Sequence, residues 1–199
     1  KEDYKIISNS ICDCNAVSHP IKWINDKFSI INGSLTTIHP WLSYQNILDG
    51  TSISQANPGV IWDDYALGRA SVSNLIPKNT TAVQAVEKII PEIKGKLLSF
   101  SYRVPTPTVA SSDLVLNVKE NISYDKIVSL FKAKSRENDY VHLNYESLVS
   151  KDYEKNSHSV IIDMQWLKVN NNTIKLILWY DNEWGYATRL TDLIRKIHC

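Results

Sequence analysis

Ser8-Asn9-Ser10-Ile11-Cys12-Asp13-Cys14-Asn15 runs directly into Ala16-Val17-Ser18-His19-Pro20-Ile21, and the join between these stretches decides how the chain is read. Upstream, Tyr4–Ser8 has the apolar character of a strand. Downstream, Val17, Ile21, Ile24 and Phe28 recur at helical spacing, which predicts a helix over about residues 12–27. A helix start presents unpaired N–H groups and the positive end of the dipole, and both favour an anion. A cysteine there is expected as thiolate, below the ~8.5 of a free thiol. Cys12 and Cys14 compete for that role, while Asp13 opposes it by its charge. The alternative for either sulfur is a small buried hydrophobe.

Working outward, Ser29–His39 reads as extended, with Ile30-Ile31, an Asn32-Gly33 turn and the β-branched run Thr36-Thr37-Ile38. From Pro40 to Gly68 the pattern is irregular, with turn signals at Asp49-Gly50 and Asn57-Pro58-Gly59; so long a loop is commonly functional. A second helix follows Pro77-Lys78-Asn79-Thr80, carrying Val83, Val86, Ile90 and Ile93, with Pro91 expected to end or kink it. Strands are expected over Leu97–Val104 and Asp113–Lys119. Ser123 then caps a helix bearing Ile127, Leu130 and Phe131. Strands at Ser159–Met164 and Thr173–Trp179 flank an Asn170-Asn171-Asn172 turn, and a last helix runs from about Trp184 to Ile197 with Tyr186, Leu190, Leu193 and Ile197 on one face. Strands in hairpin-like succession with helices between them predict an α+β fold. The expected form is one mixed or mostly antiparallel sheet with helices packed on one face, a single domain over residues 1–199. No Gly-x-Gly-x-x-Gly follows a strand, so no Rossmann domain is expected in this chain.

The 199 residues carry a net charge of +1 with 43% apolar and 22% charged residues, which gives no basic face for nucleic acid. No apolar run reaches the ~18–20 residues of a membrane span, and the opening residues do not resemble a signal peptide. Three cysteines, an odd count with two nearly adjacent, suit a reducing, cytoplasmic setting. A zinc site would be the other use of Cys12-x-Cys14, but no second cluster at ligand spacing accompanies it, so no metal is expected.

Other residues bear on chemistry. His39 closes the Thr-Thr-x-His run before Pro40, where it is either a structural histidine or a base that takes the Cys12 proton. Trp179-Tyr180-Asp181-Asn182-Glu183-Trp184-Gly185-Tyr186 is a polar, aromatic junction, accounted for by capping at Asp181 or Asn182. Arg103, before Pro105-Thr106-Pro107, reads locally as a surface ion pair, with an anion clamp as the other use.

Four ordered motifs decide between these readings: Ser8-Asn9-x-x-Cys12-x-x-Asn15, Thr36-Thr37-x-His39, Arg103-Val104-Pro105-Thr106-Pro107, and Trp179-Tyr180-Asp181-Asn182-Glu183-x-Gly185-Tyr186. Together with Ile24-Asn25-Asp26-Lys27-Phe28 and Gly95-Lys96-Leu97, they closely resemble the catalytic domain of the glyceraldehyde-3-phosphate dehydrogenase family, from about Ile6 to Leu193. The resemblance implies that Cys12 attacks an aldehyde carbonyl with His39 as its base. It implies that Asn182 and Tyr186 meet the nicotinamide of NAD or NADP, and that Arg103 and Thr80 bind phosphate groups. It further implies a homotetramer, with the loop after His39 at an interface. The family's N-terminal nucleotide-binding domain has no counterpart in these residues, so the 199 residues alone are expected to be inactive in hydride transfer.

The departures from the family pattern cluster at its anion sites. Ile11-Cys12-Asp13-Cys14 stands where the family resemblance leads one to expect Ser-Cys-Thr-Thr. Thr81 replaces a glycine after Thr80, Leu42 a threonine and Leu67 an arginine, and Tyr44 a polar or acidic residue. Lost charge-assisted donors and an added carboxylate oppose phosphate. The expectation is therefore an NAD(P)-dependent aldehyde-oxidising dehydrogenase working through a thiohemiacetal and thioester on Cys12, on a small aldehyde other than the glycolytic one. The alternative is a non-enzymatic assembly or regulatory module derived from the same domain.

Overall fold

Seven strands and four helices account for most of residues 6–53, 59–61 and 65–198, the part of the chain that the computed structural model describes. In chain order they are α1 (Cys12–Phe28), β1 (Ile30–Pro40), β2 (Ile76–Lys78), α2 (Ala82–Ile89), β3 (Leu97–Val104), β4 (Ala110–Val118), α3 (Tyr124–Arg136), β5 (Val141–Asn144), β6 (Val160–Asn170), β7 (Thr173–Tyr180) and α4 (Trp184–His198). Short 3₁₀ turns occupy Pro91–Ile93 and Ser150–Tyr153. The strands form one sheet in the order β2-β3-β1-β4-β7-β6-β5, with β1–β3 and β5–β6 parallel and the other pairs antiparallel. This is the mixed α+β sheet expected from the sequence.

The apolar stripe of α1 explains its position. Val17, Ile21 and Ile24 are fully buried, and α1 lies across β1, β4, β6 and β7 while touching α2, α3 and α4. From the strands, Leu35, Leu114, Leu116, Leu176 and Leu178 enter the same core, one residue in two as the pleat requires. The opposite face carries a smaller cluster of Val109, Tyr153 and Ile161 packed with Trp179, and leaves Leu98 79% exposed.

Several local expectations are corrected. Tyr4 and Lys5 lie outside the described residues, as do Asn57, Pro58 and Cys199, and residues 6–8 are irregular, with Ile6 90% exposed. Asn32-Gly33 is not a turn. Both residues lie inside β1 at a register shift, and a Cβ on Gly33 would stand 2.3 Å from the Val115 carbonyl, so the glycine serves close strand approach. The succession is less hairpin-like than the order of strands suggests, because β1 separates the consecutive β3 and β4. Sequence periodicity passes over β2 and β5, which are three and four residues long; their strand state comes from the edges of β3 and β6 to which they bond.

Candidate active site

The residue before α1 sets the geometry. Ser10 is left-handed (φ 60) and Ile11 returns to extended backbone, which brings Cys12 into the first turn of α1. Asn15 donates from its side chain to the Asn9 carbonyl, and Asn9 donates to the carbonyl of Tyr186, tying this loop to α4. His39 arrives from the end of β1 on the same face as Leu35 and Thr37. Its partner in register across the parallel pair is Arg103 of β3. Asp181 caps α4, accepting from the N–H groups of Glu183 and Trp184, so the side chain of Asn182 is left for the site.

A cavity of about 390 Å³ collects Cys12, Asp13, His39, Thr80, Arg103 and Asn182. Five of the six residues singled out from the sequence therefore share one cavity. The sixth, Tyr186, does not line it; its hydroxyl donates to the Ser10 carbonyl at 3.4 Å, behind the nucleophile loop. Ile11 and Leu42 supply apolar wall to the same cavity. Arg103 departs from its local reading as a surface ion pair. It is half-buried, donates to the Pro40 carbonyl at 3.1 Å, and its Nε has no partner among the described residues. The Thr80 hydroxyl accepts from the Ala82 N–H at the start of α2.

The centre of the site is Asp13. Its Oδ1 accepts from His39 Nε2 at 2.8 Å, from the Tyr180 hydroxyl at 2.8 Å and from the Cys12 thiol at 3.6 Å. Asp13 is 4% exposed and His39 7%. Tyr180 is held in turn at 3.2 Å from Ser112 Oγ, and its ring meets that of His39 edge-on. The hydrogen bond expected between Cys12 and His39 is thus taken up by the carboxylate, although sulfur and imidazole remain within 4.8 Å. Asp13 and Tyr180 were each present in the quoted motifs. The signal for Tyr180 was strand alternation, which sets it on the helix-facing side of β7 with Leu176 and Leu178.

Electrostatics follow from this arrangement. Burial would raise the Asp13 carboxyl, but the hydrogen bond and charge of His39, with the Tyr180 and Cys12 donors, outweigh it and hold the carboxyl below its ordinary value. The Cys12 thiol is pushed up to about 12, by burial first and then by the charge of Asp13. The thiolate expected at this helix start is therefore disfavoured at rest, because desolvation and a carboxylate at contact distance exceed the pull of the first-turn N–H groups. The Tyr180 hydroxyl is raised for the same two reasons.

Residues 11–182 match the family described as "Glyceraldehyde 3-phosphate dehydrogenase, C-terminal domain". The chain belongs to this family. Similar glyceraldehyde-3-phosphate dehydrogenase sequences include cytosolic enzyme 2 of Hordeum vulgare, 40% identical over all of this chain and 63% of the relative. Cytosolic enzyme 3 of Zea mays is 40% identical over all of this chain and 57% of the relative, and enzyme 2 of Drosophila melanogaster 38% identical over 98% and 57%. The chain thus spans about six-tenths of the length of these glyceraldehyde-3-phosphate dehydrogenases. Among the described residues no helix is long and apolar enough to cross a membrane.

Proposed function

We propose that this chain is the catalytic domain of a cytoplasmic, NAD(P)-dependent, aldehyde-oxidising dehydrogenase whose aldehyde is not glyceraldehyde 3-phosphate. The observation that carries the reading is the convergence of Cys12, His39, Thr80, Arg103 and Asn182 on one cavity. Cys12 Sγ adds to the aldehyde carbonyl and forms a thiohemiacetal. Its proton passes to the Asp13–His39 pair, with His39 acting as the base from its neutral form, in which Nε2 has given up the proton it otherwise donates to Asp13. The acyl group is later released from Cys12 as its thioester is cleaved. Arg103 and Thr80 orient the substrate oxygens from the cavity wall.

The buried Oδ1 of Asn182 has no partner among the described residues, which suits an amide donor such as the nicotinamide carboxamide. When bound, the nicotinamide supplies the hydride-accepting chemistry of the oxidation. Tyr186 contributes by bracing the Ser10 carbonyl and the loop before Cys12.

The substrate assignment rests on the lining. Asp13 puts a carboxylate, and Ile11 and Leu42 put hydrocarbon, into a cavity whose donors to an anion include Arg103, Lys78 and Thr80. A carboxylate beside a phosphate dianion is repulsive, and each missing charge-assisted donor is worth roughly 1.5–3 kcal/mol. Acyl release by water is therefore favoured over release by phosphate. Steady-state assays of the full-length protein test this: turnover of unphosphorylated aldehydes, insensitive to inorganic phosphate, is expected. Strong phosphate-dependent oxidation of glyceraldehyde 3-phosphate sinks the assignment.

One observation favours a second reading, a non-enzymatic module. His39 is engaged by Asp13 at 2.8 Å, and burial with the Asp13 charge pushes the Cys12 thiol up, which disfavours the thiolate near neutrality. Labelling of the full-length protein separates the two: an active site alkylates at Cys12 faster when the cofactor is bound, whereas a silent module does not.

A further inference from the structure

From the geometry at the head of α1 we propose that Cys12 Sγ, an Asp13 carboxylate oxygen and His39 Nε2 together form a binding site for a divalent transition metal of the zinc class. These three atoms lie within 4.8 Å of one another, and no other group of three or more such side chains among the described residues does so. Sulfur, carboxylate oxygen and imidazole nitrogen are the donors that zinc takes, three from protein and one position left open. Bond lengths of ~2.3 Å to sulfur and ~2.0–2.1 Å to nitrogen and oxygen imply tetrahedral edges of roughly 3.5 Å for S···O and 3.3 Å for N···O. The Sγ···Oδ1 separation is 3.6 Å and the Nε2···Oδ1 separation 2.8 Å, so the imidazole withdraws from the carboxylate by about half an ångström, while Sγ and Nε2, within 4.8 Å of each other, close on the metal.

The surroundings suit a metal in two further respects. Tyr180 donates to the carboxylate and is held by Ser112, an outer hydrogen bond of the kind that orients metal-ligating carboxylates. The three donors face a cavity of about 390 Å³, which leaves the fourth position to water or a substrate oxygen. On binding, the Cys12 S–H bond breaks, its proton goes to solvent and a metal–sulfur bond forms. The His39 Nε2–H bond, which otherwise donates to Asp13, breaks as well, and its proton also goes to solvent. Nε2 binds through the freed lone pair while Nδ1 keeps the remaining ring proton; no atom changes oxidation state. Sequence spacing conceals such a site, since two ligands are neighbours on α1 and the third comes from the far end of β1. A metal held there caps the thiol that the proposed chemistry needs, yet binding stands on ligand geometry and not on turnover.

The test titrates the full-length protein with Zn²⁺ and with Co²⁺ as a coloured probe, beside Cys12→Ser, Asp13→Asn and Tyr180→Phe, each checked by circular dichroism. One equivalent bound with a thiolate-to-Co²⁺ charge-transfer band is expected, and the band should vanish in Cys12→Ser. Tyr180→Phe, which spares all three ligands, should weaken binding by about 10–100-fold, and Asp13→Asn by more. If Asp13→Asn does not fold, Tyr180→Phe and Cys12→Ser carry the test. Equal binding by wild type and Cys12→Ser, or a band that survives in Cys12→Ser, overturns the site; so does undiminished affinity in a folded Asp13→Asn. Aldehyde turnover assayed in chelator-treated buffer reports separately on the catalytic reading.

Discussion

A single oxygen, Asp13 Oδ1, takes three donors that would otherwise have to find partners separately. Removing its charge frees them, and the consequences are measurable. In Asp13→Asn the Cys12 thiol should fall toward its ordinary value, and each unit is tenfold in thiolate at a given pH. Alkylation of Cys12 near neutral pH, resolved by peptide mass spectrometry, is expected to rise by about tenfold or more. An unchanged rate means that burial alone holds the thiol up. The same two groups make stability depend on pH at both ends. Asp13 is held below its ordinary value, so its contribution is present above the ordinary carboxylate range and is lost as pH falls through the folded value. Cys12 is raised from 9.0 to about 12, so its contribution is whole below pH 9 and lost as pH climbs toward 12. Thermal unfolding should therefore show a shallower acid limb in Asp13→Asn and a shallower alkaline limb in Cys12→Ser than in the unsubstituted protein.

At the scale of elements, the site depends on where strands and helices stop. His39 is delivered by β1, and β1 lies close against β4 because Gly33 has no side chain. Gly33→Ala should destabilise by about 1–3 kcal/mol, the range of an overpacked core, read as a shift in denaturant midpoint; a neutral change would mean that β4 yields without strain. Asp181 caps α4 and so leaves Asn182 facing the cavity. Asp181→Ala is expected to cost about 0.5–2 kcal/mol and to weaken binding of nicotinamide dinucleotide to the full-length protein. Loss of stability with intact cofactor affinity would remove Asn182 from that role. These elements were legible to different degrees. The stripe Val17, Ile21, Ile24 announced α1, and Leu97–Val104 announced β3 to the residue. β2 and β5 were not announced, because three or four residues carry no period and owe their state to a neighbouring edge.

At the scale of the molecule, the sheet covers one face with helices and leaves Leu98 and Phe100 exposed on the other. The family resemblance implies a homotetramer, and an exposed apolar face is what such an assembly would cover. Light scattering on the full-length protein is expected to give four chains, and a monomer at micromolar concentration rejects it. The 199 residues alone, with no nucleotide fold among the described residues, should not reduce NAD or NADP with any aldehyde. Detectable reduction by them would overturn that expectation.

The motifs around Cys12, His39, Arg103 and Asn182 determined the family and named these four residues of the cavity, because chemistry-bearing residues at fixed separations are a property of the chain itself. Composition and periodicity likewise determined an α+β domain with one main core. What the tertiary structure decided is whom each group bonds. Sequence spacing placed Asp13 beside Cys12 but did not reveal that β1 and β7 would bring His39 and Tyr180 to the same carboxylate. That meeting depends on strand register and on the seat of α1, which are long-range packing outcomes. It turns the expected thiolate into a half-buried thiol beside a carboxylate, and three residues from two distant elements into a set of proposed metal donors.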